Sequence, residues 1–377
     1  MRRPVQYLGH LVPMILALLL TACQTNDIVP KSQGVVQGEG LAYRWDRELW
    51  IADVNGQNAR RLTANLADAG CAAYAPAPNG RSIAFRDRDS RLWVAPLPAG
   101  EARRLSTVAV EDFAWYPSSK GLAYSSGSEL YLETVTRSAR PDQSSLQGRV
   151  IRRPTWSPDN SRIAFYMLRE RNQADLALLP SSASSTKDVL ILDSFTMRSG
   201  TCPPEILWAP DSKKLVAGDG TNQSAYFLAG GSPLPLGTGP APAAWSSDSR
   251  FLAYLDARGG LLLRDVPGGD VRTLVREGVG RYAWSRNGNS LAFTLRSAGV
   301  DQLALFQTGR EGYTILLENA VALDLAPAWS YDGATIFFGY RPNAGPPALA
   351  SIAREGGAVR QLLSRVKSFR LFERRSE

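Results

Sequence analysis

Apolar residues along this chain come in short runs broken by Ser, Pro, Asp, Asn and Gly, and the long helical periodicities of a bundle are missing. The stretch WSPDNSRIAF (156–165) is representative: it reads as the end of one strand, a tight turn and the start of another. Aligning the chain on the residue that opens each IAF-like triplet gives eight copies, at Leu41, Ile83, Leu122, Ile163, Leu215, Leu252, Leu291 and Ile336. Their spacings of 42, 39, 41, 52, 37, 39 and 45 residues cluster near forty. In a β-rich chain that period predicts propeller blades, each a four-stranded sheet.

Seven residues before the triplet stands a tryptophan in six copies: Trp115, Trp156, Trp208, Trp245, Trp284 and Trp329. In the second copy Pro76 holds the place, with Tyr74 two residues earlier on the same face. Between tryptophan and triplet lie SPDNSR, APDSKK, SSDSRF, SRNGNS and SYDGAT. Pro presets φ, Asp or Asn bonds the local backbone, and Gly accepts positive φ, so each copy is a hairpin. Third strands follow at 49–54, 92–97, 130–135, 261–266 and 303–308, and fourth strands at 60–63, 103–106, 272–275 and 360–363. The first unit lacks the tryptophan strand, and SFRLF (368–372) falls where it would be supplied from the far end of the chain. The expectation is an all-β propeller of eight four-stranded blades closed by a C-terminal strand, which removes an exposed sheet edge. Seven blades is the alternative, with the first unit an irregular cap.

The residue before each tryptophan, or before Pro76, is Ala75, Ala114, Thr155, Leu207, Ala244, Ala283 or Ala328, mostly very small. Small side chains on one blade make room for a bulky aromatic from its neighbour. The six tryptophans are therefore expected to be wedges between blades, in preference to a platform for stacking sugars or bases.

At these residues the chain resembles the TolB-type, WD40-like (PD40) propeller family, whose repeat is a WSPDG…IAF hairpin followed by IY- and LT-like strands. The resemblance covers about 40 to 363 and implies the fold; it implies little about function. No α/β domain precedes the first blade as it does in TolB, so TolB's partner contacts are not carried over. A second likeness, to an eight-bladed outer-membrane assembly lipoprotein with quinoprotein-type repeats, is architectural only.

Composition agrees with a turn-rich, aromatic β protein: 44% hydrophobic, with 33 Gly, 24 Pro and 9 Trp. The N-terminus reads as an address label. Arg2 and Arg3 precede the short apolar segment LVPMILALLL (11–20), and LTAC (20–23) is a lipobox like those of bacterial lipoprotein signals. A membrane span needs about 20 apolar residues, more than this segment has. The expected organisation is a signal peptide at 1–22, a flexible tether at 23–39 that begins at lipidated Cys23, and the propeller at 40–377. The chain would then be exported and lipid-anchored, on the outer face of the plasma membrane or on the outer membrane. Removing 1–22 lowers Lys+Arg from 43 to 41 against 35 Asp+Glu, leaving +6. A modest basic excess suits anionic envelope surroundings, and no cluster argues for nucleic acid. Cys71 and Cys202 remain. Export permits them to pair, but sequence does not show their Cα atoms within about 7 Å, and two buried free thiols are the expectation.

The single histidine is His10, inside the signal. Ser-His-Asp and Cys-His catalysis then lack their base, and histidine metal sites their ligands. No cofactor or metal is expected. Carboxylate chemistry survives, since glycosidases need only two acids about 5 to 9 Å apart. SYDGAT (330–335) and DRD (87–89) contain acids, and both read as turn or solvated carboxylates. A candidate binding rim lies three positions before each tryptophan, at Ala73, Asp112, Arg153, Glu205, Pro242, Arg281 and Ala326, with Glu111 and Arg152 beside it. The functional expectation is a binding or scaffold module for a protein or envelope polymer, without catalysis. A carboxylate-dependent glycoside hydrolase or lyase is the first alternative, and a quinone-dependent dehydrogenase the second.

Overall fold

The computed structural model describes residues 38–373, except 68–70, 72, 99, 136–141, 146–148, 183–187, 198–201, 239–241, 267–268 and 343–344. The signal peptide, Cys23 and nearly all of the tether lie outside the described residues.

Eight four-stranded antiparallel sheets form a closed ring. The first strands of blades 2 to 8 are Tyr74–Pro76, Asp112–Trp115, Val150–Trp156, Leu207–Trp208, Ala244–Trp245, Val279–Trp284 and Ala328–Trp329. Blade 1 has no such strand of its own; Ser368–Glu373 pairs antiparallel with Glu39–Trp45, from Glu39 opposite Glu373 to Arg44 opposite Ser368. Eight blades and closure by the C-terminus are as expected, and the register puts Leu371 opposite Leu41, where six other blades have tryptophan, and blade 2 has Pro76, opposite the first triplet residue.

The core is a ring of eight interfaces. Each hydrophobic cluster joins two neighbouring blades, including blade 8 to blade 1 through Phe337, Leu349, Leu41, Tyr43 and Phe369. This explains the triplet. In a strand the side chains alternate between faces, so the two outer residues face the preceding blade and the middle one faces the next. Leu291 and Phe293 of blade 7 pack against blade 6, while Ala292 packs against Trp329 of blade 8. Ala84 and Ala123 likewise lie in the clusters that hold Trp115 and Trp156. The small central residue is room for the next blade's indole.

The wedges also have a polar end. Trp115, Trp208, Trp245, Trp284 and Trp329 donate through Nε1 to the carbonyls of Ala75, Thr155, Leu207, Ala244 and Ala283, at 2.8, 3.3, 3.1, 3.1 and 3.0 Å. Each acceptor is the residue just before the repeat position of the preceding blade. A buried indole N–H needs such a partner, and a backbone carbonyl supplies it whatever small side chain stands there.

The hairpin turns are linked from blade to blade as well. Ser157 Oγ donates to Asp159 Oδ1 at 2.6 Å, and the same bond recurs at Ser246–Asp248, Ser285–Asn287 and Ser330–Asp332. The backbone N–H groups of Asn79, Asp159 and Asp211 then donate to the hydroxyls of Ser119, Ser212 and Ser249 in the next turn, at 3.0, 3.0 and 2.9 Å. Those serines occupy left-handed backbone, φ +61, +59 and +60, the region that favours glycine. A left-handed serine is strained; here the hydroxyl it presents joins two blades.

Candidate functional site

Two of the innermost strands are bulged. The register slips between Arg152 and Thr155 in blade 4 and between Val279 and Tyr282 in blade 7. Bulges re-aim side chains, and the residues carried by these two include Arg153, at φ +55, and Arg281. Both line a cavity of about 540 Å³ at the mouth of the channel, to which blades 4, 5, 6, 7, 8 and 1 contribute. Of the expected rim, Arg153, Glu205, Pro242, Arg281 and Ala326 come together there.

Four expected rim residues stand elsewhere, among them Ala73, which packs against the hydrophobic cluster between blades 1 and 2. Asp112 is 1% exposed and accepts from Arg152 Nε at 2.8 Å and from the Arg153 N–H at 3.1 Å. Arg152 turns from the cavity to Asp112, to Glu111 at 3.8 Å and to Cys71 Sγ at 3.1 Å. Glu111 is half-buried, and burial raises its pKa against the pull of Arg152. Beneath them Arg86, 4% exposed, donates to the carbonyls of Val110 and Glu111. Its pKa is lowered by burial, with Asp112 opposing. Asp112, Arg152 and Glu111 are therefore a brace behind the mouth, because their charges compensate one another before they reach it.

The brace supports a bridge. Cys71, between blades 1 and 2, and Cys202, between blades 4 and 5, form a disulfide with a Cα–Cα distance of 5.4 Å. The expectation of two buried free thiols is corrected: Cys71 is half-buried and Cys202 exposed. Loops leaving non-adjacent blades meet because both reach over the same end of the ring. Arg153 holds both sides of the bridge, donating from Nη1 to the Cys71 carbonyl at 3.0 Å and from Nε to the Pro203 carbonyl at 2.8 Å. Its contact with Glu205 is 3.9 Å. Because disulfides persist in oxidising compartments, this bond points outside the cytoplasm.

The rest of the wall was not anticipated. Lys367, Ser368, Phe369 and Arg370 of the closing strand and its approach line the cavity, as do Asp324, Leu325 and Tyr282. A signal existed: once SFRLF is aligned with the other first strands, three positions before Leu371 is Ser368. Tyr282 donates to the Pro242 carbonyl at 2.7 Å, and burial raises its pKa far above the ordinary range. Gly218 completes the blade 5 wall, exchanging hydrogen bonds with the Tyr166 hydroxyl at 3.1 and 3.2 Å. A Cβ at Gly218 would lie 1.9 Å from the Asn222 carbonyl oxygen, so only glycine fits.

The acids singled out in sequence are turn residues. Asp87 accepts the N–H groups of Asp89 and Arg91 and the Trp93 indole, and Asp332 accepts from Ser330 and Ala334. The two carboxylates that line the cavity, Glu205 and Asp324, each stand beside an arginine, Arg153 and Arg341 respectively.

The class that this fold and cavity define is the closed eight-bladed β-propeller. Among solved structures the chain is similar to the dihydro-heme d1 dehydrogenase NirN in complex with DHE, with TM-score 0.64 and 13% identity over 91% of this chain and 77% of that one. It is similar to a eukaryotic initiation factor, with TM-score 0.54 and 12% identity over 86% and 85%. TolB from Acinetobacter baumannii gives TM-score 0.40 and 18% identity over 86% and 77%. At these identities the likeness is one of fold alone. No protein-family model matches the chain, and no curated protein matches it in sequence.

Proposed function

We propose that this protein is a binding or scaffold module of the cell envelope, held at the membrane by lipid on Cys23, that engages a protein or envelope polymer through its channel mouth without performing chemistry. The observation that carries the reading is the convergence of charged residues from separate blades on one cavity: Arg153 and Arg281 from first strands, and Glu205 from just before the first strand of blade 5. A propeller mouth is where side chains of many blades meet, and a pocket of a few hundred Å³ with a few fixed polar groups is the usual form of a binding site. The disulfide supports the exported location. Proteins of this architecture have unrelated functions, so the site carries the argument and the fold does not.

The test is crosslinking and affinity capture from native membranes, comparing wild type with the triple variant Arg153→Ala/Glu205→Ala/Arg281→Ala, with circular dichroism to show that the variant is folded. The expected result is a partner captured by wild type and lost by the variant. Turnover of a glycan by the purified chain, abolished when Glu205 and Asp324 become amides, would replace this reading with the carboxylate-enzyme alternative.

A further inference from the structure

Lining charges of the cavity divide into those with partners and those without. Arg153 is committed to Glu205 and to two backbone carbonyls. Lys367 donates to Asp46 at 3.0 Å, and Asp324 is 3.7 Å from Arg341. Two guanidinium groups remain. The Arg281 side chain makes no hydrogen bond or ion pair among the described residues, and Arg370 makes only a 3.5 Å contact with its neighbour's carbonyl. They come from the first strands of blades 7 and 1, and blade 8 between them presents only the short side chain of Ala326 at the rim position. Around them are Tyr282, Leu325, Phe369 and the Pro203–Pro204 corner.

We infer that this cavity takes a compact dianion on a small apolar frame, a phosphate monoester or a paired dicarboxylate, held by Arg281 and Arg370. The inference rests on the mouth being the binding face and adds the chemistry of what enters. Guanidinium groups are weakly hydrated planar forks that match phosphate and carboxylate oxygens in pairs. Two of them without partners leave two positive charges facing a partly enclosed space, where charges interact more strongly than in bulk water. The apolar part of the wall, at Leu325, Phe369 and the Pro203–Pro204 corner, favours a ligand that carries its charge on a ring or short chain over a bare inorganic ion. The charge could belong to a free metabolite or to a lipid headgroup, and the recognising groups are the same for both.

The experiment is calorimetric titration of the full chain in detergent with phenyl phosphate, isophthalate and inorganic phosphate. A parallel arm measures flotation with phosphatidylcholine vesicles with and without phosphatidic acid. Saturable one-to-one binding is expected for phenyl phosphate or isophthalate, weaker for inorganic phosphate. It should fall roughly ten- to a hundredfold in Arg281→Gln and again in Arg370→Gln, the loss expected for a charge-assisted hydrogen bond. Arg104→Gln, on the exposed fourth strand of blade 2, should not change it. Phenyl phosphate should bind more tightly at pH 7 than at pH 5, because its second proton leaves near pH 6. Binding confined to phosphatidic acid vesicles, with the same arginine dependence, assigns the dianion to a lipid. No saturable binding in any arm, or binding indifferent to both arginines in variants with unchanged unfolding midpoints, overturns the inference. Captured partners lost on rim substitution would then still stand, so failure here is distinguishable from failure of the binding-module reading.

Discussion

Trp156 is the one repeat tryptophan whose buried Nε1 finds no acceptor among the described residues; it lies edge-on to Tyr116 at 4.7 Å instead. The six indoles should therefore respond unequally to the same substitution. Trp284→Phe leaves the Ala244 carbonyl without its indole donor and is expected to cost about 1 to 2 kcal/mol beyond the change in shape. Trp156→Phe loses no such bond and should cost about 1 kcal/mol less in urea denaturation. A second difference among equivalent residues is electrostatic. Slight burial raises the pKa of Asp159, but bonds from Ser157, Ser161 and Ser212 outweigh it and hold the carboxyl at about 2, while Asn287 fills the same place in blade 7 without a titrating group. A carboxyl depressed in the folded state contributes stability that is fully present above its unfolded pKa and is lost as pH falls through the folded one. The thermal midpoint should thus drop between about pH 4 and pH 2, and Asp159→Asn should flatten that slope while Asn287→Ala leaves it unchanged.

The hairpin was legible at the level of the element because it repeats. Trp-turn-triplet register, turn chemistry and the third and fourth strands all follow from local periodicity. What the motif could not show was the direction of each side chain relative to two neighbouring blades. The middle triplet residue looked like one more apolar position, and its smallness makes sense only against the indole of the next blade. Blade 8 departs from the rule in a way that tests it: its triplet is Ile336-Phe337-Phe338, and Phe337 faces Leu371 where six other blades present tryptophan and blade 2 presents Pro76. A large residue on one side of the seam compensates for a smaller one on the other. Phe337→Ala is expected to lose about 3 to 5 kcal/mol. Adding Leu371→Trp should restore part of that loss, giving the favourable coupling of residues in contact in a double-mutant cycle. Purely additive losses would mean that the seam is not packed by this exchange.

For the molecule as a whole, the ring was readable from the sequence and its bridge was not. Cys71 and Cys202 are separated by 131 residues, and nothing local tells two loops from distant blades that they will meet. The same holds for the site: Arg153, Glu205 and Arg281 were found because they sit at one repeat position, whereas Asp112, at the equivalent position, is drawn into the brace by Arg152. Closing so long a loop stabilises the fold by about 2 to 5 kcal/mol through the unfolded chain. Thermal unfolding with and without dithiothreitol should show a lower midpoint on reduction, and Cys71→Ser/Cys202→Ser should match the reduced protein and no longer respond to it. Because Arg153 bonds to backbone on both sides of the bridge, reduction should also raise hydrogen exchange at the cavity wall, at the amides of Cys202 and Glu205 that flank Pro203 and Pro204.

The seam has one more implication. Ser368 begins the closing strand at the cavity mouth, and Glu373 ends it beside Glu39, where the described chain enters the ring. Entry and exit thus share the side of the disc that faces away from the opening. Under the proposed lipid anchorage, a ring held from its amino-terminal end would turn its opening away from the surface that holds it. In that arrangement a load applied at Glu39 would fall first on the strand pair that keeps the circle shut.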